Sequence, residues 1–159
     1  MFKIIGSAVV ILGATILGMM KYNDFAERKR ILESLYDGAV KIRDILKCCC
    51  PPLHESFAEG GEFFERASQK IREGILPSEA VSETLEKYNS LKEDDKNIIR
   101  RFARGLGAED CDGQISNVEL FINGIKGSLS DAEAELRSKG GLYVKGSILT
   151  ATAVVLLLV

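Results

Sequence analysis

The stretch DFAERKRILESLYDGAVKIRDILK, residues 24–47, decides the fold of this chain. Its apolar residues recur every three or four positions and form one stripe on a helix: Ile31, Leu35, Ala39, Ile42 and Leu46. Pro51 and Pro52 end this helix, because proline lacks a backbone N–H and disfavours a helical conformation in the residue before it. A long amphipathic helix of this kind predicts a helical bundle.

The segments that follow keep the same rhythm between glycines and prolines, which stand at Gly60–Gly61, Gly74, Pro77 and Gly107. A short helix begins near Leu53, and the apolar residues of the next three are Phe63, Phe64, Ala67 and Ile71, then Val81, Leu85 and Tyr88, then Ile98, Ile99, Phe102 and Leu106. We expect Ser78 to cap one helix and Ser90 to cap another in a capping box with Glu93.

The last helix of the bundle is predicted from about Gln114 to Ser138, and Gly140–Gly141 is predicted to form a hinge after it. Strand-like alternation is nowhere sustained along the chain. The sequence therefore predicts an all-α fold, with a bundle of five or six helices.

Two uncharged stretches lie outside this bundle: IIGSAVVILGATILGMM at 4–20 and GSILTATAVVLLLV at 146–159. An ionised side chain at the centre of a bilayer costs about 3 kcal/mol or more, so charge-free stretches favour lipid. We predict transmembrane helices at 3–20 and 142–159, flanking a bundle of residues 21–141. The alternatives are a cleaved signal peptide for the first stretch and a buried core helix for the second.

Lysines and arginines near both stretches lie on the bundle side, at Lys21, Arg28, Lys29 and Arg30 and at Arg137, Lys139 and Lys145. The positive-inside rule then places the bundle in the cytoplasm and both chain ends outside. From Lys21 to Lys145 the chain has 20 basic and 23 acidic residues, a formal charge of −3. This balance provides no basic field for nucleic acid.

The candidate chemical groups have structural explanations. Cys48, Cys49 and Cys50 are adjacent on a helix end, near His54, and their side chains diverge where zinc ligands must converge. We expect all four cysteines, including Cys111, to be free thiols. The acidic clusters Asp94–Asp95 and Glu109–Asp112 lie at predicted helix starts, where carboxylates cap the backbone. We therefore expect no catalytic residue, no metal site, no cofactor and no small-molecule substrate.

Several motifs together resemble one known family, that of stage III sporulation protein AB of endospore-forming bacteria. The start MFKIIG is similar to the start of that family, AERKR at 26–30 to its T-E-R-P-R, and PLHESF at 52–57 to its T-P-L-x-E-A region. Leu106-Gly107 with Asp110 and Gln114 is similar to its L-G-x-x-D-x-x-x-Q segment, and VVLLLV at 154–159 to its apolar end. The family positions are candidates for partner contacts: Glu27, Arg28, Arg30, Pro52, Glu55, Asp110 and Gln114.

The resemblance implies a non-enzymatic platform of the channel between mother cell and forespore, in the outer forespore membrane. Its bundle is similar to the F-type domains of type II secretion and type IV pilus platforms, so the implied partners are a cognate sporulation ATPase and other membrane channel subunits. Two other functions stay open: a membrane-anchored scaffold or signalling adaptor unrelated to sporulation, and a small membrane enzyme.

Overall fold

The computed structural model describes residues 2–107, 110–143, 146, 149–150 and 152–153, and the side chains of 2–12 and 14 lie outside that description. Its helices are α1 Phe2–Cys49, α2 Leu53–Ala58, α3 Glu62–Arg72, α4 Pro77–Leu85, α5 Glu93–Arg104 and α6 Cys111–Glu135, followed by the π-helical segment Leu136–Gly140. None of the residues described is in a strand. The predicted all-α fold is confirmed.

The chain divides into two compact units, each with more contacts within itself than to the other. One unit is Arg30–Ser130, and the other consists of the described residues within 1–29 and 131–159. In the first unit the predicted stripe of α1 is buried, from Ile31 to Leu46. The helix ends at Cys49, as the two prolines predict, and Cys50 takes a left-handed conformation with φ of 42°. The helix predicted at residues 24–47 lies within α1 without a break.

Aromatic rings form the centre of the Arg30–Ser130 unit. Phe57 and Phe64 are fully buried, with ring centroids 5.3 Å apart in an edge-to-face arrangement. Phe102 of α5 stacks on Phe121 of α6 with centroids 4.4 Å apart. Aromatic pairs of this geometry stabilise a core by about 1 kcal/mol beyond the area they bury, so four helices are held to one centre.

Backbones approach closely where α1 passes the turn between α2 and α3. A side-chain carbon added at Gly38 would lie 1.9 Å from the carbonyl oxygen of Gly60 and 2.9 Å from a ring carbon of Phe64. Only glycine fits there. The predicted break at Gly60–Gly61 therefore also sets the distance between α1 and its neighbours.

Two helix starts differ from their predictions. Pro77 begins α4, with Leu76 as the preceding residue, so Ser78 lies inside the helix, where its carbonyl accepts a bond from Ser82 Oγ at 2.7 Å. At the start of α5, the backbone N–H of Lys92 donates to the buried Asp95 carboxylate at 3.0 Å. This cap lies two residues beyond the predicted Ser90–Glu93 capping box. Residues 88–91 form a turn instead, in which Leu91 is buried and its backbone N–H donates to the Tyr88 carbonyl.

In the second unit, α1 runs beside the end of α6 and the π-helical segment. The Arg28 guanidinium meets the Glu135 carboxylate at 2.8 Å. A side-chain carbon at Gly140 would lie 2.9 Å from the Tyr22 ring. The predicted hinge at Gly140–Gly141 is wrong, because the chain continues as helix through residue 143. Glycine at 140 allows close packing against Tyr22. Where the hinge was predicted to begin, the helix instead has the wider π-helical turn Leu136–Gly140.

Among the described residues, no helix combines the length and the apolar character needed to cross a membrane. The segment predicted at 142–159 lies mostly outside the described residues, as do the side chains over most of 3–20. The two transmembrane helices therefore stay predictions.

Candidate functional site

A cleft of about 210 Å³ lies where the end of α1 meets the start of α6. The motif segments 52–57 and 106–114 both contribute to it, although 48 residues separate them in the sequence. The residues that line it are Leu46, Cys50, Pro51, Leu53, Gly107, Asp110, Cys111 and Gln114. We call this the cysteine cleft. Leucine and proline side chains form its apolar wall, and Asp110 is its carboxylate.

A disulfide bond between Cys50 and Cys111 closes one side of the cysteine cleft, with the two Cα atoms 6.2 Å apart. The prediction of four free thiols is therefore wrong for these two residues. Adjacent cysteines cannot pair readily with each other, but the fold brings Cys111 to Cys50 across 61 residues. In the chain-entropy model, a bridge across a loop of this length stabilises the fold by about 4 kcal/mol.

The other two cysteines are free and exposed, as predicted. The thiol of Cys49 donates to the sulfur of Cys48 at 3.3 Å. This hydrogen bond, together with the charge of the neighbouring thiolate, raises the pKa of Cys49. One disulfide and two free thiols therefore lie together: Cys48 and Cys49 at the end of α1, Cys50 directly after it, and Cys111 at the start of α6.

Asp110 and Gln114 hold the start of α6. Asp110 caps the helix, since its Oδ1 accepts the backbone N–H of Gly113 at 3.0 Å. Gln114 is buried, and its Nε2 donates to the carbonyl of Gly105 at 3.3 Å. Its Oε1 is enclosed without a hydrogen-bond donor from any described residue. The capping role predicted for the acidic clusters is confirmed at Asp95 and Asp110, and Glu109 lies outside the described residues.

Pro52 and Glu55 lie at the start of α2, next to the cleft. The carbonyl of Pro52 accepts the backbone N–H of Glu55 at 2.9 Å, which begins the helix. Glu55 is exposed, and its carboxylate lies 3.9 Å from His54 Nε2. The carbonyl of His54 accepts a bond from Ser68 Oγ on α3 at 2.6 Å. This contact fixes α2 on the bundle and leaves the Glu55 carboxylate facing solvent.

The third motif segment does not join the cleft. Arg28 is 5% exposed, and its ion pair with Glu135 fixes α1 against the end of α6. Glu27 is half-buried in the same unit, whereas Arg30 is exposed and lines a separate pocket of about 370 Å³ with Glu33, Ser34, Asp37 and Lys41. Arg28 thus joins α1 to the end of α6, and the seven candidate positions do not form one site.

Cysteine, histidine, aspartate and glutamate side chains do not gather into groups of three or more suited to a metal ion in the described part of the chain. Sequence reasoning missed Leu46, Leu53 and Cys111 as members of the cleft. No local pattern assigns the three residues to one site, because only the packing of α6 against the end of α1 brings them together. The single cysteine outside the triplet was the one available signal.

The comparisons with known proteins agree with the motifs. The family model described as Stage III sporulation protein AB matches residues 3–159. A solved structure titled Stage III sporulation protein AB is similar with a TM-score of 0.59 at 21% identity, covering 69% of this chain and 96% of its own. That likeness shows the fold, and no curated protein matched the chain. Because the family model spans nearly the whole sequence, the chain belongs to the stage III sporulation protein AB family.

Proposed function

We propose that this protein is a non-enzymatic platform of the sporulation channel, held in the membrane at both ends, whose bundle docks a secretion-type ATPase. Family membership supports the sporulation role. The ATPase as partner follows from the resemblance to F-type platform domains. The observation that carries the proposal is that the two family motif segments 52–57 and 106–114 meet at one cleft, through Leu53 of the first and Gly107, Asp110 and Gln114 of the second.

Exposed apolar side chains support the membrane part of the proposal. In the unit that contains both chain ends, Leu17, Leu142 and Leu149 are 66%, 69% and 70% exposed. Apolar side chains this exposed and this close in sequence to uncharged stretches mark a surface that meets lipid or protein. Tyr22 and Tyr143 are exposed nearby, as aromatic residues are at the membrane–water interface.

Charge supports the docking part. Glu55, Asp110 and Asp112 are exposed carboxylates on α2 and at the start of α6. Asp110 lines the cysteine cleft beside its apolar wall, and Glu55 and Asp112 lie within two residues of the lining residues Leu53 and Cys111. Carboxylates beside an apolar surface are typical of a protein interface with an apolar centre and a polar rim. A basic surface on the ATPase would complement this rim, and its side chains would cover the half-buried Pro51 and Leu53.

Co-purification from membranes of sporulating cells tests the proposal. The full-length chain should recover the ATPase, and Glu55→Gln combined with Asp110→Asn should lower recovery about tenfold, the equivalent of 1.4 kcal/mol. Asparagine still caps a helix, so the start of α6 stays folded. Glu86→Gln is the matched control, since Glu86 is exposed at the far end of α4.

Two results would contradict the proposal. If the wild-type chain never recovers the ATPase while the channel still assembles, the partner is wrong. If the double variant recovers as much ATPase as Glu86→Gln does, the cysteine cleft is not the docking site.

A further inference from the structure

The four cysteines lie together at the cleft in two different states. Cys50 and Cys111 are joined, whereas Cys48 and Cys49 are free and exposed. Disulfides in reducing compartments are usually transient, catalytic or redox-sensing. A bridge in a bundle that we place in the cytoplasm therefore calls for a role that involves its opening and closing.

The bridge is accessible to an external thiol. Cys50 is exposed, and it lies just past the end of α1 in a left-handed conformation with φ of 42°. Residues other than glycine adopt this conformation at a cost of about 1 kcal/mol, and the following proline restricts Cys50 further. Cys111 is only half-buried, as the first residue of α6. Thiol–disulfide exchange needs such access to the attacked sulfur.

Cys48 and Cys49 cannot reduce the protein by themselves, because exchange with either thiol only moves the disulfide to another pair of cysteines. The thiol of Cys49 is held by its hydrogen bond to Cys48. Its raised pKa keeps it protonated near neutral pH, and the thiolate is the attacking species. A bond between adjacent cysteines such as Cys49 and Cys50 would also have poor geometry, because paired cysteines need specific Cβ directions. Exchange therefore depends on a reagent from outside.

We propose that Cys50 and Cys111 form a reversible redox clasp that sets the shape of the cysteine cleft and thereby regulates docking. A dithiol reductant opens it in two steps. One thiolate attacks the Cys50 sulfur, the bond to Cys111 breaks, and Cys111 leaves as a thiolate. The second thiol then releases Cys50, so that two electrons and two protons pass to the protein and the reductant becomes a disulfide.

Opening the clasp frees the first turn of α6 from the end of α1. One further contact near this junction is the Lys47–Glu119 ion pair, which does not involve the cysteines. The aromatic core of Phe57, Phe64, Phe102 and Phe121 joins α2, α3, α5 and α6 through ring contacts in which neither cysteine takes part. Reduction should therefore loosen the cleft and leave the bundle folded.

The regulatory role rests on the proposed docking, but the clasp itself can be tested without any partner. Full-length protein in detergent micelles is treated with dithiothreitol under native conditions, quenched with acid and labelled with a maleimide–polyethylene glycol. Mass-shifted bands should report two reactive cysteines before treatment and four after it, in line with one bridge and two free thiols. A diamide pulse after removal of dithiothreitol should restore two.

Hydrogen exchange on the same samples reads the effect on the cleft. Amides in 110–116 should exchange at least about tenfold faster after reduction, while those of α3 keep their rates. The Cys48→Ser/Cys49→Ser variant should respond as the wild type does. The Cys50→Ser/Cys111→Ser variant should exchange like the reduced wild type and no longer respond.

Three results would overturn the clasp. The bridge could need denaturant to open, or reduction could accelerate exchange equally in 110–116 and α3. The response could also disappear in Cys48→Ser/Cys49→Ser, which would assign it to those two thiols. Failure of ATPase co-purification with a working clasp would instead overturn the docking alone.

Discussion

Lys47 and Glu119 join the end of α1 to α6 close to the cysteine cleft, with Nζ and Oε1 2.6 Å apart. Both side chains are about half-exposed. The hydrogen bond from Lys47, and then its charge, lowers the pKa of Glu119. Solvent screens such a surface pair, so it contributes little to the free energy of unfolding, but it reports whether α1 and α6 are docked.

Titration of Glu119 by NMR on the full chain should therefore give a pKa below the usual glutamate range. Because the folded-state pKa is the lower one, the small stabilisation is present above the unfolded pKa and is lost as pH falls through the folded pKa. Lys47→Ala should return the Glu119 pKa to its usual range, and Lys87→Ala should not move it. If Lys47→Ala leaves the Glu119 pKa unchanged, α1 and α6 do not pack together as described.

At the scale of single residues, the sequence predicts local roles and misses distant pairings. Asp110 as a helix cap follows from a carboxylate before an apolar helix, a relation within four residues. The Cys50–Cys111 bond follows from the packing of α6 onto the end of α1, and no spacing rule gives it. The burial of Arg28 also could not be predicted from the sequence, because its partner Glu135 lies 107 residues away.

Within the helices, glycines occupy two kinds of position: some are in close contact with a neighbouring backbone, and others face open space. Gly38 has a carbonyl oxygen and a ring carbon where its side chain would be, so α1 can approach the α2–α3 turn only there. Gly127 lies inside α6 with nothing within 4 Å of an added carbon. The same substitution should therefore have opposite effects at the two positions.

Gly38→Ala should destabilise the bundle by about 3 kcal/mol, because the added methyl group forces two backbones apart. Gly127→Ala should stabilise it by about 1 kcal/mol, since alanine favours a helix interior over glycine. Chemical unfolding of the full-length variants in micelles, followed by circular dichroism, measures both. Equal effects of the two substitutions would contradict the close approach of α1 to Gly60.

Helix positions were predictable because apolar spacing and proline or glycine boundaries act within a few residues. The bounds of α2, α3 and the end of α1 fall where Leu53, Gly61 and Pro51 predict. The first residue of α5 was not predictable from local sequence. The tertiary burial of Leu91 and Asp95 decides where this helix begins. The prediction of a hinge at Gly140 was wrong for a related reason. The glycine is there because it lies close to the Tyr22 ring, which is a tertiary contact.

For the whole molecule, the family and the all-helical bundle are established by the match over 3–159 and by the fold. Order and spacing of short motifs were enough to predict the family from the sequence. The cysteine cleft was not predictable, because its lining comes from two parts of the chain, 46–53 and 107–114, that only the fold brings together. Our account of function joins these parts: lipid at both chain ends, a cytoplasmic bundle between them, and a redox-regulated docking cleft.

The side of the membrane on which the bundle lies tests this account most directly. In a chain with all four cysteines replaced by serine, Asn89→Cys places one exposed thiol between α4 and α5. We predict that the protein sediments with membranes and that a membrane-impermeant maleimide labels Cys at this position only after cells are permeabilised. Labelling in intact cells, or recovery of the protein in the soluble fraction, would contradict it.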